Sequence, residues 1–288
     1  MQHFTDFGQS ALSETPQQVF QLARKVVEKT LEEYSGTISD LVVASTCPDS
    51  LAPSLGQKLQ EAFPVQLKSS SLSDLVQGCA GGVSAMILAS RLSHSSLGDV
   101  LVVQADAARK ATSTASELHG IFGNGSFSCV VQKQIGTTQL LHHASRQYAG
   151  LSAVVEVKLG HDADTIIQSG ANDVWRDPRR SLGLSMDKLL ALKLIKQAES
   201  FYIDFIQTTS APDVLILHQA SAVIIEHLKQ VFAKFPITFV DLAGEIGNCG
   251  AATIGIAFHR SLDICKGKKV MLCSYGTGGV ITAGLWQL

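Results

Sequence analysis

Three features of this sequence predict an α/β fold built from two related halves. Short apolar runs of strand length, such as Leu41-Val-Val-Ala44 and Val100-Leu-Val-Val103, alternate with amphipathic stretches of helical period. Segments of the first half return, in the same order, in the second. Around Cys79 lies a strand, a turn of small residues and an apolar helix, from Asp74 to Leu92, and the rest of the chain is organised about this unit.

Taken in order, the chain opens with a short strand near residues 3–7 and a Gly/Ser turn. Ser13-Glu-Thr-Pro16 then starts a helix, with Thr15 as its cap and Pro16 at its first position. Val19, Ala23, Val26 and Leu31, flanked by Phe20, Leu22 and Val27, recur at helical spacing to about Tyr34, so one face is buried. A buried strand follows at Leu41–Ala44, and past Pro48 and Pro53 a second helix runs to about Phe63. The Cys79 unit and the strand Val100–Val103 complete the pattern. Near-continuous apolar strands between helices require a sheet covered on both faces.

The repeat sets Gln77–Ala89 over Gly247–His259, so that Cys79 falls on Cys249, and the same shift lays Val100–Val103 over Val270–Cys273. A slightly longer shift lays Asp40–Ser45 over Asp213–His218. Two halves are expected, 1–135 and 136–288, the second opening with a strand at Val154–Lys158.

Composition narrows the function classes. The chain has 288 residues, 45% hydrophobic and 17% charged, ordinary for a globular enzyme and far from disordered. A net charge of −2 without a basic run argues against a nucleic-acid partner. Its six cysteines, at 47, 79, 129, 249, 265 and 273, are scattered and show no CxxC pair, as in a reduced, cytoplasmic protein. Met1–Phe7 has no signal-peptide character, and no apolar run reaches the roughly 18 residues of a membrane span, so no membrane association is expected. His142-His143 and His161-Asp162 lack a second pair at metal spacing, so no metal is assigned.

Cys79 stands where a nucleophile would. A helix start offers unpaired N–H groups and a positive dipole end that favour thiolate, and Gly78, Ala80, Gly81 and Gly82 leave room for a carbonyl. The alternative is a small core hydrophobe, the commoner use of free cysteine. His218, ending the apolar run Val214–Leu217, is either a hydrogen-bonded rim residue or an acid–base group. Asn248 is either a turn residue or a hydrogen-bond donor to substrate. The three sit at the ends of related elements of the duplicated pattern, where ligands collect in open α/β sheets.

Gly78-Cys79-Ala80-Gly81, His218-Gln219-Ala220-Ser221 and Gly247-Asn248-Cys249-Gly250-Ala251-Ala252-Thr253-Ile254, in this order, resemble the three motifs of 3-ketoacyl-ACP synthase III-like condensing enzymes of the thiolase fold. Tyr275-Gly-Thr-Gly-Gly279 and Phe122-Gly-Asn-Gly125 resemble two further segments of that family, and the likeness runs from about Asp40 to the C-terminus. The resemblance implies a five-layered α/β/α/β/α arrangement and a dimer, with a heterodimer as the variant form. It implies acyl thioesters of acyl carrier protein or coenzyme A as substrates and no separate cofactor. Cys79 would be the acyl-accepting nucleophile, and His218 and Asn248 would stabilise the enolate left when a malonyl-type thioester loses carbon dioxide. The backbone N–H groups of Cys79, Thr277 and Gly278 would form the oxyanion hole, with Gly82 and Gly276 at the substrate pocket.

This chain departs from the family in two places. The segment between the first strand and the Pro16 helix is short, where initiating synthases carry aromatic and arginine contacts to coenzyme A. Gly82 stands where many carry a bulky aromatic. Arg176, Arg179 and Arg180, in Trp175–Arg180, would attract an acidic carrier protein or form a solvated loop. An acyltransferase to a hydroxyl or amine, and one subunit of a heteromeric condensing enzyme, are the competing functions.

Overall fold

The computed structural model describes residues 8–13, 18–95, 97–112, 120–133, 139–159 and 182–288. In the first half, β1 (Gly8–Ser13), α1 (Val19–Glu33), β2 (Ile38–Ala44), α2 (Leu55–Ala62), α3 (Pro64–Leu67) and β3 (Ser71–Leu75) precede a 3-10 turn at Gly78–Ala80. Then come α4 (Gly81–Leu92), β4 (Asp99–Ala107) and β5 (Asn124–Val131). The second half contains β6 (Gln139–Gln147), β7 (Val155–Leu159), β8 (Leu182–Met186), α5 (Lys188–Thr208), β9 (Val214–Leu217), α6 (Ala222–Phe232) and β10 (Thr238–Val240). It ends with α7 (Ala243–Ile246), α8 (Ala252–Arg260), α9 (Leu262–Cys265), β11 (Lys269–Gly276) and β12 (Val280–Gln287).

The duplication is visible in the sheets. One runs β1-β5-β4-β2-β3 and the other β6-β12-β11-β9-β10. In each, three neighbouring strands pair in parallel (β4, β2 and β3; β11, β9 and β10), and one strand, β5 or β12, runs antiparallel to both of its neighbours. The parallel pairing recurs with a one-residue offset from the repeat, since Asp40 lies beside Val100 in the first sheet whereas Val214, next after Asp213, lies beside Val270 in the second.

Three apolar cores separate five layers. Between the sheets, α4 and α8 pack against strands of both, joining Val83, Met86, Ile254 and Phe258 to Val42, Val102, Ile216 and Leu272. Outside the first sheet, α1 contributes Val19, Leu22, Ala23 and Val27, with Leu55 and Leu59 of α2. Outside the second, α5 and α6 bring Leu194, Tyr202, Phe205, Ile225 and Leu228. The apolar period read in α1 is thus its buried face, and strands that point alternately into two cores must be apolar on both sides.

Where the chain differs from expectation, an edge strand is involved. Residues 1–7, expected as the first strand, lie outside the described residues, and β1 occupies Gly8–Ser13, expected as a turn. Its Gly and Ser content conceals a strand whose backbone is satisfied by antiparallel pairing with β5, while Leu12 joins the central core. Thr15 and Pro16 lie outside the described residues; α1 begins at Val19 behind Gln18, which makes no side-chain cap. The strand near Val154–Lys158 forms as β7 but pairs with β8 in a separate two-stranded sheet. The second sheet instead uses Gln139–Gln147, whose polar residues suit its place at an edge.

Gly82 is a correction of a different kind. It does not line the pocket beside Cys79 but is buried where α4 meets the start of α8, with its carbonyl accepting from Gln104 Nε2 at 3.0 Å. A Cβ at this position would lie 2.2 Å from the Ala251 carbonyl oxygen and 2.6 Å from Ile254 Cγ2. Helix contact, not acyl specificity, demands glycine here. Gly82→Ala is expected to destabilise the protein by about 1–3 kcal/mol through forced separation of the two central helices, read as a lower urea midpoint with an unchanged slope.

Candidate active site

Cys79 lies in the 3-10 turn between β3 and α4. Gly78 has φ +54°, and the Thr277 side chain occupies the space its Cβ would need, so the turn closes only with glycine. Ser274 Oγ donates to the Cys79 carbonyl at 2.6 Å, and the Gly276 backbone lies so close that a Cβ there would come within 2.9 Å of Cys79 Cβ. The end of β11 therefore fixes a residue of the opposite half.

Asn248 is fixed reciprocally by the first half. Its N–H donates to the Ile121 carbonyl at 3.0 Å, and its own carbonyl accepts from Gly123 N–H at 2.8 Å. The side-chain Oδ1 accepts from Gly250 N–H at 3.0 Å and makes a long contact of 3.9 Å with Cys79 Sγ, which leaves Nδ2 as the donor. His218 follows β9, its N–H bonded to the Cys273 carbonyl at 2.8 Å, and Tyr275 stands edge-on to its ring at a centroid distance of 5.9 Å. Beside it, buried Gln219 braces the loop by donating to Leu217 O and accepting from Leu242 N–H.

These side chains meet in one pocket of about 820 Å³, counted with its open mouth. Cys79, His218, Asn248, Gly276 and Thr277 stand at its polar end, with Thr46 and Cys47 beside them. Its walls are aliphatic, from Val155 and Val157 of β7, Met186 of β8, Leu194 and Ile195 of α5 and Ile224 of α6. Gly278, expected as an oxyanion donor, does not line it; its carbonyl accepts from Gln147 Nε2 at 3.3 Å. Arg176, Arg179 and Arg180 lie outside the described residues. Among the described residues no three His, Cys, Asp or Glu side chains gather to hold a metal.

The electrostatics correct the expectation of a resting thiolate. Burial pushes the Cys79 pKa up to about 12, with the Asp106 charge adding to the rise, and its hydrogen bonds offset only part of it. A helix start does not compensate for a low-dielectric surrounding and a nearby anion. Burial likewise lowers His218 to about 4, opposed in part by the nearby Asn248 side chain. Among the described residues neither ring nitrogen meets a partner with hydrogen-bond geometry, and burial keeps the imidazole neutral. Sequence reasoning missed Asp106, a wholly buried carboxylate at the end of β4. Its signal was present, as a charged residue closing an apolar strand.

Two measurements follow from these shifts. Cys79, partly open to the pocket while the other five cysteines are buried, should be the first alkylated by iodoacetamide, at a rate still rising with pH above 10. A plateau near pH 8 would contradict the buried-thiol environment. Because His218 binds its proton more weakly folded than unfolded, its contribution is present above pH 6.5 and lost as pH falls toward 4. Urea denaturation of the parent should show on the order of 3 kcal/mol more loss across that window than His218→Phe does.

Comparison with known proteins converges on one family. The profile of the 3-Oxoacyl-[acyl-carrier-protein (ACP)] synthase III C terminal family matches residues 207–288, the stretch holding His218, Asn248 and Gly276. The beta-ketoacyl-[acyl-carrier-protein] synthase III of Microcystis aeruginosa is 25% identical over 291 residues, covering 97% of this chain and 85% of that protein. A synthase III of Streptococcus agalactiae is 26% identical over 287 residues, covering 91% of this chain and 82% of its own. Among solved structures, the synthase III of Thermus thermophilus superposes with a TM-score of 0.79 at 20% identity, covering 96% of this chain and 86% of that one. OleA of Xanthomonas campestris gives 0.77 at 17% identity, covering 96% and 83%. The chain thus has the duplicated five-layered thiolase fold of these solved structures, and its residues 207–288 are similar to the synthase III C-terminal segment.

Proposed function

We propose that this protein is a decarboxylative condensing enzyme that takes an acyl group onto Cys79 and joins it to a malonyl-type thioester. The observation that carries the reading is the meeting of Cys79 from one half with His218 and Asn248 from the other at the polar end of an aliphatic pocket. The names of the curated relatives, beta-ketoacyl-[acyl-carrier-protein] synthases III, support the same class.

In the first step Cys79 Sγ attacks the thioester carbonyl, and its proton passes to the departing thiol, with neutral His218 able to accept it in between. The developing oxyanion is held by the Cys79 N–H and a donor from the Gly276–Thr277 stretch. The carboxylate–carbon bond of the malonyl thioester then breaks. Carbon dioxide leaves, and the electron pair moves onto the thioester oxygen as an enolate, facing an imidazole N–H of His218 and Asn248 Nδ2. A neutral imidazole is the form this step requires, since it stabilises charge without standing as a permanent acid, and burial maintains it. The enolate carbon attacks the acyl-cysteine, the Cys79 thiolate leaves and takes up a proton, and a 3-keto thioester is released.

Acyl carrier protein or coenzyme A would present both substrates, and the working form would be a dimer, as in the family. The 1–135 half supplies the nucleophile and the 136–288 half the two donors. With no lysine or arginine among the described residues that line the pocket, the phosphate end of either carrier would remain outside it.

Asn248→Ala should still load an acyl group on Cys79, seen as a mass increase on the intact chain, but lose carbon dioxide release by about a hundredfold. Cys79→Ala should lose loading. If Asn248→Ala condenses at the parent rate while the parent acylates an alcohol or amine efficiently, the protein is an acyltransferase.

A further inference from the structure

Asp106 closes β4 in the seam between the halves, and its two oxygens face different ones. Oδ1 accepts from Ser45 Oγ at 3.1 Å, Thr46 N–H at 2.7 Å and Cys47 N–H at 2.9 Å, all in the loop leaving β2. Oδ2 accepts from Ala251 N–H at 2.7 Å, in the turn that opens α8. That turn comes unusually close: Gly250 has φ +57°, and a Cβ there would lie 2.3 Å from Oδ2. The Gly250 N–H in turn donates to Asn248 Oδ1, the oxygen that contacts Cys79 Sγ. On the other side, Thr46 and Cys47 both line the pocket with Cys79.

We infer that Asp106 is a positioning residue of this site, whose one carboxylate sets the Asn248 turn of the second half against the Thr46–Cys47 wall of the first and so aims the Asn248 carboxamide at Cys79. The inference deepens the condensing reading and rests on it only for the step that Asn248 serves. Burial raises the Asp106 pKa and its donors oppose the rise. Three of the four donors are backbone N–H groups, which can only donate, so the carboxylate is the form that satisfies them. Its charge faces Cys79, whose other titratable neighbours are Cys47, Tyr275 and, across the pocket, His218. Asp106 thus holds the site in shape, and its charge adds to the burial that keeps the sulfur protonated at rest.

Two variants separate shape from charge. In Asp106→Asn the remaining oxygen can serve Thr46 and Cys47, but the amide nitrogen then meets the Ala251 N–H, donor against donor. Loading of an acyl group should persist while malonyl-thioester decarboxylation falls at least about tenfold in kcat, with KM within about threefold. Iodoacetamide should alkylate Cys79 about tenfold faster at pH 8, because the neighbouring anion is gone. Gly250→Ala keeps the charge and pushes the turn off the carboxylate, so decarboxylation should fall similarly without faster alkylation. Circular dichroism and thermal melting establish that each variant is folded. A folded Asp106→Asn with parental decarboxylation and parental alkylation overturns the proposal. If Asp106→Asn does not fold, a parental decarboxylation rate in Gly250→Ala overturns it instead. Alkylation needs no acyl or malonyl substrate, so a parent protein that never releases carbon dioxide ends the condensing reading, while the alkylation contrast still tests the Asp106 contact.

Discussion

The close approach of α4 and α8 between the two sheets is the constraint on which the rest depends. α4 begins at the turn that follows β3 and α8 at the turn that follows α7, and the two turns place Cys79 and Asn248 3.9 Å apart, sulfur to oxygen. Such an approach is possible only because Gly82, Ala251 and Gly255 present almost no side chain to one another or to Gln104, whose amide bridges Gly82 O and Gly255 N–H. Any bulk at this contact would move the turns apart before it touched the pocket. Small residues here are a condition of the spacing of Cys79 and Asn248 as much as of the packing.

Assembly across the seam explains why each half alone would be incomplete. The end of β11 holds the Cys79 backbone through Ser274, and the Ile121–Gly123 segment holds Asn248. Each half thereby fixes the other's functional turn, so the relative position of thiol and carboxamide follows from two rigid sheets instead of from mobile loops. Burial sets the protonation states in the same way. It keeps Cys79 a thiol and His218 a free base, so the resting site carries neither a reactive thiolate nor an imidazolium.

Much of this was legible in the chain. Cys79 over Cys249, and the apolar runs at Leu41, Val100, Val214 and Val270, showed the duplication because buried parallel strands need apolar residues on both faces. The motifs around Cys79, His218 and Asn248 marked the three side chains now found in one pocket. Edge strands were harder to see. Those at Gly8–Ser13 and Gln139–Gln147 are polar and Gly/Ser-containing, and only pairing with β5 and β12 makes them strands.

By itself the sequence determined the periodicity, the repeat and which three side chains to look for together, because these follow from local pattern and side-chain chemistry. Only the tertiary structure decided that Gly82 serves a helix contact, that Asp106 spans the seam, and that Cys79 rests as a thiol. Those outcomes depend on which atoms from distant parts of the chain share one small, poorly solvated volume. Steric clearance and desolvation are properties of that volume and of no single stretch of sequence.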